Sequence, residues 1–363
     1  MVEVGARDND TNIKKIVEEK LKGIIKNFGF VEKNKRIYKG HPAIYNNAVC
    51  DVFSLVQKGG GLARDQLLER KPHWNKNFEV RVVKNLEEHN FCFAVEIVKN
   101  LAKHTSEGRP VIWITPVGPM GHYGVIAEMM NKLGQRLGLK PELVFPFAMD
   151  EWSDENGDVV TAPEFVHYLN GFDQDMHEQF YGKIADHAKI PEKNLRFAAG
   201  EGLKGYIDAM KDLLEQDAGI IFTGGVGMTG HIMFWEPTYG TMLGKEISEK
   251  VIYIRGAPLA TETIAQNRIT STASAPVPAY ANTIGLGLFC MFREYAEKNP
   301  DRVNAIFGLD NAEEPLVWQR FIAQCMLATR FADPSFGATY VPTVPGAYII
   351  VENHLKGFNV PAK

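Results

Sequence analysis

Short apolar runs alternate with longer helical stretches from residue 79 onward, and this alternation constrains the fold more than any other feature of the sequence. The apolar runs carry no charged side chains, which is typical of strands buried on both faces. They comprise 111–114, 143–149, 219–222, 251–254, 305–307 and 347–351. The helical stretches between them include 123–137, 164–188, 204–216 and 315–329. The pattern predicts an α/β fold, a three-layer, mostly parallel Rossmann-like sheet with helices on both faces.

The first 78 residues follow a different pattern. Apolar residues recur every three or four positions over 13–25, which predicts an amphipathic helix that ends at the Asn27-Phe28-Gly29 turn. The stretch 31–77 is irregular, and glycines and prolines interrupt it. We therefore divide the chain into a partly helical N-terminal extension, 1–78, and an α/β domain, 79–363. Helical packing or an oligomer contact is the expected role of the extension.

Charge and hydrophobicity exclude several classes of protein. The 363 residues carry 44 acidic and 40 basic side chains, a formal charge of −4, so the chain lacks the basic surface of a nucleic-acid-binding protein. A hydrophobic fraction of 45% is enough for a sizeable core. The windows 218–235 and 270–292 are uncharged, but their glycines and prolines predict buried strand and loop rather than membrane spans. We expect a soluble protein with no membrane partner.

The cysteines indicate a reducing compartment. No two of the four form a CxxC pair, so the sequence predicts neither a disulfide framework nor a zinc site. They are Cys50, Cys92, Cys290 and Cys325. The N-terminus shows no basic region followed by an apolar run, as a secretory signal would. A cytoplasmic location is the expectation.

Ligands of parallel α/β sheets bind at the carboxyl ends of the strands, because every parallel strand delivers its following loop to that edge. Five loops are therefore candidates to form a site. They are 115–123, 150–158, 223–237, 255–268 and 308–314.

The loop after the strand at 219–222 contains Gly225, Gly227 and Gly230 in a G-x-G-x-x-G pattern. A dinucleotide site should open a helix directly and place an acidic residue after the next strand. Here Pro237 follows the glycines, and Arg255 stands where the acidic residue is expected. We therefore expect no nicotinamide cofactor, and interpret the glycines as allowing the backbone to pass close to a small ligand.

Two further loops carry groups that can move protons. His231 and Glu236 lie five residues apart, so the carboxylate can orient the ring; a satisfied structural histidine is the alternative. Asp150 and Glu151 follow the run at 143–149, where adjacent side chains point to opposite faces and only one can serve a site. That one is a candidate base for a proton next to a carbonyl, and a surface acidic turn is the alternative. The acidic residues of this region do not have the spacing of a calcium-binding loop, so no metal is assigned.

The loop 115–121 precedes a predicted helix start at His122. Backbone N–H groups at a helix N-terminus can hold an anion, which makes Gly118 and Met120 candidate contacts for a substrate. A tight turn into the helix is an equally adequate interpretation.

Four segments, in this order, resemble the glucosamine-6-phosphate deaminase/isomerase family, which is similar in fold to the 6-phosphogluconolactonases. Met149-Asp150-Glu151 resembles the family's strand-end motif, and 230–237, Gly-His-Ile-Met-Phe-Trp-Glu-Pro, resembles its glycine-rich loop. Residues 190–194 and 277–287 resemble two further family segments. The resemblance covers roughly residues 79 to 352, and the Glu-Pro ending looks like the deaminase branch.

The resemblance implies general acid–base catalysis without metal or cofactor. Asp150 would move the proton between the first two sugar carbons, His231 would assist ring opening, and Glu236 would orient or tune the histidine. The implied substrate contacts come from four of the five candidate loops. They are Gly118, Met120, Glu151, Gly225, Gly227, Thr229, Gly230, Arg255 and Arg268.

The chain also departs from the family pattern. Thr229 stands where the family has Asp before Gly-His, and prolines in 116–119 reduce the number of N–H donors for a phosphate. Ile264 and Asn311 fall where the family has basic residues, so Arg255, Arg268 or His122 would have to compensate.

We therefore expect an aldose–ketose isomerase or deaminase acting on an amino-sugar phosphate or a related sugar, assembled as a homo-oligomer as relatives commonly are. A catalytically silent sugar-binding or regulatory homologue and a lactonase-like hydrolase are the alternatives.

Overall fold

A computed structural model describes residues 3–28, 62–118, 120–160, 171–199, 202–270, 277–310 and 318–357. The strands in these segments are β1 (Glu3–Ala6), β2 (Phe78–Val83), β3 (Val111–Thr115), β4 (Val144–Ala148), β5 (Asp150–Ser153), β6 (Gly219–Gly225), β7 (Val251–Pro258), β8 (Tyr280–Ile284), β9 (Val303–Leu309) and β10 (Gly346–Val351). The α-helices are α1 (Thr11–Phe28), α2 (Arg64–Leu68), α3 (Leu86–Ser106), α4 (Tyr123–Leu133), α5 (Phe172–Gln179), α6 (Gly202–Glu215), α7 (Pro237–Ser248), α8 (Thr261–Thr270), α9 (Leu286–Lys298) and α10 (Trp318–Ala328).

The centre of the fold is a six-stranded sheet in the order β2-β10-β9-β6-β3-β4. Every neighbouring pair in it is parallel. The predicted α/β fold with a mostly parallel sheet is thereby confirmed. The six carboxyl ends lie along one edge, where the candidate loops begin.

Both faces of this sheet are buried. In β3, Val111 and Trp113 lie in one apolar core, and Ile112 and Ile114 lie in the other. The first core is covered by α3, α4 and α5, and the second by α1, α6, α9 and α10. Because successive strand residues point to opposite faces, a strand between two cores has no polar alternation, which is why its sequence is continuously apolar.

A second sheet of four antiparallel strands, in the order β1-β7-β8-β5, lies beside the first. The run 251–254, which the alternation placed in the parallel sheet, belongs to this sheet as part of β7. An apolar run buried on both faces looks the same in either sheet, so the sequence could not assign it.

The N-terminal segment is attached to the body of the fold. β1 pairs antiparallel with β7, and Val17 and Leu21 of α1 are buried in the second core. The predicted helix over 13–25 is confirmed, with bounds Thr11–Phe28. Residues 29–61 lie outside the described segments, so most of the irregular stretch is not assessed, and the boundary at residue 78 stays a prediction.

Two helices differ from the sequence expectation. The second half of the window 270–292 is not strand and loop, because α9 begins at Leu286. Its first turns are buried on all sides, which hides the helical period that exposed residues would reveal. Helix α3, 21 residues long, has no predicted counterpart, although Asn85 caps its N-terminus by accepting the N–H of Glu88.

No helix in the described segments is long and apolar enough to cross a membrane.

Candidate functional site

The candidate site lies where the two sheets join, at the carboxyl ends of β3, β4 and β6. Met149 is the joint: its N–H donates to the Thr115 carbonyl at the end of β3 (2.9 Å), and its carbonyl accepts the N–H of Ile284 in β8 (3.2 Å). Asp150 is the next residue and the first of β5. The strand-end position predicted for Asp150 is therefore at the ligand edge of the parallel sheet.

Asp150 is a desolvated carboxyl group. Its side chain is 6% exposed, and within the described segments it makes no hydrogen bond. Burial, together with the neighbouring charge of Glu151, raises the pKa of Asp150 well above its usual range. A carboxylate in such surroundings binds a proton more strongly once ionised, which suits a general base.

Glu151 points elsewhere. Its carboxylate accepts the backbone N–H groups of Trp152 (2.8 Å), Phe172 (2.9 Å) and Asp173 (2.9 Å). It therefore caps the N-terminus of α5, where the free N–H groups and the helix dipole favour a negative charge. This placement does not support the predicted substrate contact of Glu151, and Asp150 is the member of the pair left for a site.

Thr283 connects β5 to the glycine-rich loop. It lies opposite Asp150 in the β5–β8 ladder, and its hydroxyl accepts the backbone N–H of Phe234 (3.0 Å). The Phe234 ring packs 5.1 Å from the ring of Trp152. Since Trp152 and Asp150 are two residues apart in β5, they share a face of the strand. The loop that carries His231 is thus held against the face that carries Asp150.

The glycine-rich loop does not open a helix directly after β6, since α7 begins only at Pro237. Gly225 ends β6 opposite Gly308 of β9. Gly227 is a close-approach position, because a Cβ there would lie 2.1 Å from Nε2 of His231. The ring of His231 therefore packs directly on the backbone of the loop.

Gly230→Ala is expected to destabilise the protein by about 2–4 kcal/mol. Gly230 has φ +76°, and an added Cβ would lie 1.7 Å from the ring of Phe336. Gly118→Ala is the matched control, since a Cβ there has no neighbour within 4 Å. Urea unfolding of both variants measures the difference. Equal urea midpoints for the two variants would show that neither the positive φ of Gly230 nor its contact with Phe336 requires glycine.

His231 is buried and neutral. Its Nδ1 lies 2.9 Å from the hydroxyl of Thr229 and 3.2 Å from the hydroxyl of Thr263. Burial lowers the pKa of His231 to about 4. At neutral pH the ring therefore carries one proton and can serve as a base or, on the other nitrogen, as a donor.

Glu236 is fully buried at the start of α7. Its Oε1 accepts the N–H of Ala260 (2.9 Å), and its Oε2 lies 3.9 Å from Nδ1 of His231, beyond hydrogen-bond distance. Burial raises the pKa of Glu236 to about 7, although the Ala260 N–H and the Thr263 hydroxyl oppose the shift. The predicted partner of His231 is close to it, but hydroxyl groups make the direct contacts.

Helix α8 supplies the groups that sequence reasoning missed. Ala260 precedes it, Thr263 contacts His231, and Gln266 accepts the backbone N–H of Met228 through its side-chain oxygen (2.5 Å). The position of loops after strand ends predicted 255–268 as a site segment, but it did not identify these residues within the segment.

Among the described residues no three His, Cys, Asp or Glu side chains are arranged to hold a metal ion.

The loop after β3 provides no cation. Gly118 is exposed, and Met120 packs against the first core. His122 is fully buried between the rings of Phe93 (4.4 Å) and Tyr123 (4.3 Å), and burial lowers its pKa to about 3. A neutral, buried imidazole does not compensate for a missing phosphate-binding cation.

The two candidate arginines differ in whether a carboxylate already pairs with them. Arg255 is held by Asp158 (2.7 Å) and lies 3.6 Å from Glu3, so its charge is already neutralised at the outer side of β7. Arg268 is exposed on α8, four residues from Ile264, and has no ion pair within the described segments. The structure therefore places Arg268, and not Arg255, on an element that contacts the glycine-rich loop.

Comparison with known proteins identifies similar chains. No family model matches the sequence. Glucosamine-6-phosphate deaminase of Porphyromonas gingivalis (strain ATCC BAA-308 / W83) is 30% identical over 155 residues, 42% of this chain and 51% of that protein. The enzyme of strain ATCC 33277 of the same species is 29% identical over 135 residues, 36% of this chain and 48% of that protein. A monomeric glucosamine-6-phosphate deaminase of known structure superimposes with a TM-score of 0.54 at 17% identity, covering 76% of this chain and 98% of that one.

The chain is similar in part of its sequence to glucosamine-6-phosphate deaminases and shares the fold of one. The resemblance stated from four motifs is thereby confirmed. The chain spans about half the length of the curated proteins it matches, while the structural match extends over most of both chains and shows a shared fold.

Proposed function

We propose that the protein is an aldose–ketose isomerase or deaminase of an amino-sugar phosphate. The observation that carries the proposal is the pairing of a desolvated carboxyl group, Asp150, with a histidine-bearing loop that Thr283 holds against the same strand. The similarity to glucosamine-6-phosphate deaminases supports the substrate class.

The proposed chemistry needs two proton-transfer groups. His231 assists opening of the sugar ring, which exposes a carbonyl at the first carbon. Asp150 then removes the proton from the second carbon and returns it to the first, through an enolamine. Hydrolysis of the resulting imine consumes one water molecule and releases ammonia. Glu236 completes the set as the buried acid beside His231.

Ammonia release from glucosamine 6-phosphate and from unphosphorylated glucosamine tests this proposal. Release from the phosphorylated sugar alone, together with formation of a ketose phosphate, is the expected result. Binding of the sugar phosphate with no turnover would favour the silent homologue instead. Hydrolysis of a sugar lactone above the spontaneous rate, without ammonia release, would overturn the proposal in favour of a hydrolase.

Arg268→Gln is expected to raise KM for the sugar phosphate about 10- to 100-fold, because a charge-assisted hydrogen bond contributes about 1.5–3 kcal/mol. Arg268 lies on α8, which contacts the glycine-rich loop, and within the described segments it forms no ion pair with a carboxylate. Steady-state kinetics with the sugar phosphate measure the effect. Arg255→Gln is the comparison variant, and an equal KM increase in both would contradict the assignment of Arg268.

A homo-oligomer remains part of the proposal. Sedimentation of the full chain measures its assembly state.

A further inference from the structure

The surroundings of Nδ1 of His231 differ from those that a carboxylate partner would create. Two hydroxyl groups lie within hydrogen-bond distance, Thr229 at 2.9 Å and Thr263 at 3.2 Å. The nearest carboxylate oxygen, of Glu236, lies at 3.9 Å. Residue 229 is one of the positions at which the chain departs from the family pattern.

The second hydroxyl is held firmly in place. Thr263 is fully buried, and α8 is fastened to the glycine-rich loop on both sides of it. The Ala260 N–H binds Glu236 at one end, and the Gln266 side chain binds the Met228 N–H one turn later. Three contacts, from Ala260 and from Thr263 and Gln266 of α8, therefore hold the helix start against the loop that carries His231.

A hydroxyl group and a carboxylate have different effects on a neutral imidazole. A carboxylate only accepts hydrogen bonds, so it fixes the ring proton on the nitrogen that faces it. A hydroxyl donates and accepts, so it can satisfy Nδ1 with or without a proton. Two hydroxyls can therefore satisfy Nδ1 in either form: Thr229 can donate to a bare Nδ1, and Thr263, whose hydroxyl also bonds Glu236, can accept from a protonated one.

We propose that Thr263 is a positioning residue which, together with Thr229, holds His231 as a neutral imidazole whose single proton can lie on either ring nitrogen. With the proton on Nδ1, Nε2 takes the proton of the sugar's anomeric hydroxyl, and the ring becomes a transient imidazolium. The imidazolium gives that proton to the ring oxygen as the ring C–O bond breaks, and ring closure is the reverse. With the proton on Nε2, that atom donates a hydrogen bond to the ring oxygen of the bound sugar. This role in ring opening rests on the proposed function, whereas the arrangement at Nδ1 does not.

Two carboxyl groups face this arrangement from the elements packed around it. Glu236 lies at the start of α7, and Glu262 of α8 adds a like charge that helps to raise the pKa of Glu236. Neither accepts a hydrogen bond from Nδ1 of His231 within the described segments. The ring therefore stays neutral at pH 7, where a carboxylate at position 229 would favour its charged form.

Nitrogen NMR of the full-length protein, labelled in histidine, tests the proposal without any substrate. His231→Asn identifies the His231 signals among those of the ten histidines. The expected result for the wild type at pH 7 is a neutral ring with both nitrogens at intermediate shifts. Thr263→Ser should keep these shifts. Thr263→Val removes one hydroxyl and should move them toward a single form. Thr229→Asp should fix the proton on Nδ1 and raise the pKa of His231.

A single fixed form in the wild type, or unchanged shifts in Thr263→Val and Thr229→Asp, would overturn the proposal. If Thr263→Val does not fold, Thr229→Val removes the other hydroxyl and gives the same comparison.

In the active enzyme, Thr263→Val should lower kcat about tenfold with little change in KM, and Thr263→Ser should keep the wild-type kcat. Absence of ammonia release would reject the proposed function and leave the NMR result to decide this inference.

Discussion

Asp150→Asn is expected to lower the rate of ammonia release from glucosamine 6-phosphate by about 10²–10⁴-fold. Asparagine nearly matches the volume of aspartate but cannot accept the proton. Because the wild-type side chain makes no hydrogen bond within the described segments, the substitution breaks no contact there. It also removes a buried acidic group, so stability should stay equal or rise. Steady-state kinetics and urea unfolding of the same preparation separate the two effects.

Two variants make this result specific. Asp212→Asn changes an exposed aspartate on α6 and should keep wild-type activity and stability. Glu151→Gln weakens the cap of α5 and should lower stability, with a smaller loss of activity than Asp150→Asn. Full activity of Asp150→Asn would reject Asp150 as the base, and a larger loss in Glu151→Gln would exchange the roles of the two carboxylates.

His122→Phe is expected to make the protein markedly more resistant to acid. In the unfolded chain His122 gains a proton near pH 6.5, whereas in the fold burial lowers its pKa to about 3. The unfolded state thus binds more protons below pH 6.5, and the free energy of unfolding falls by about 1.4 kcal/mol per pH unit as the pH drops toward 3. Phenylalanine fits between Phe93 and Tyr123 and has no proton to gain.

Urea unfolding at pH 7, 6, 5 and 4.5 measures this slope. The variant should lose the contribution of one histidine, while the buried His104 and His354, whose pKa values burial lowers to about 4, keep a part of the acid sensitivity. His187→Gln, on an exposed ring, is the control and should retain the wild-type slope. A His122→Phe slope equal to that of the wild type would show that His122 does not stay neutral in the fold.

The parallel sheet could be predicted because burial on both faces leaves a direct mark on the sequence. Val111 to Ile114 are apolar without interruption since each lies in one of two cores. In the antiparallel sheet only β7 carries such a mark, in its run 251–254. Strand β5 begins with the acidic pair Asp150 and Glu151, and β8 contains Asn282 and Thr283, so neither sequence is an uninterrupted apolar run. Their pairing depends on contacts between residues that are far apart in the chain.

The candidate site also contains some residues that the sequence could identify and others that it could not. Asp150, His231 and Glu236 could be selected because their side chains have recognisable chemistry and follow strand ends. The family resemblance selected Asp150, but the residue pattern alone could not decide between Asp150 and Glu151, since that choice depends on where the N-terminus of α5 lies. Thr263 could not be found either, because a threonine in a helix has no distinctive pattern until the fold brings it to His231.

The pairing of β1 with β7 has a consequence for the solubility of shortened forms of the protein. β1 covers one side of β7, and α1 covers apolar surface beside it through Val17 and Leu21. Removing the first 28 residues leaves the N–H and C=O groups along that side of β7 unpaired, next to an exposed apolar patch. Such an edge templates β-pairing with another chain and promotes aggregation. The N-terminal strand thus protects the folded protein from self-association through its own sheet.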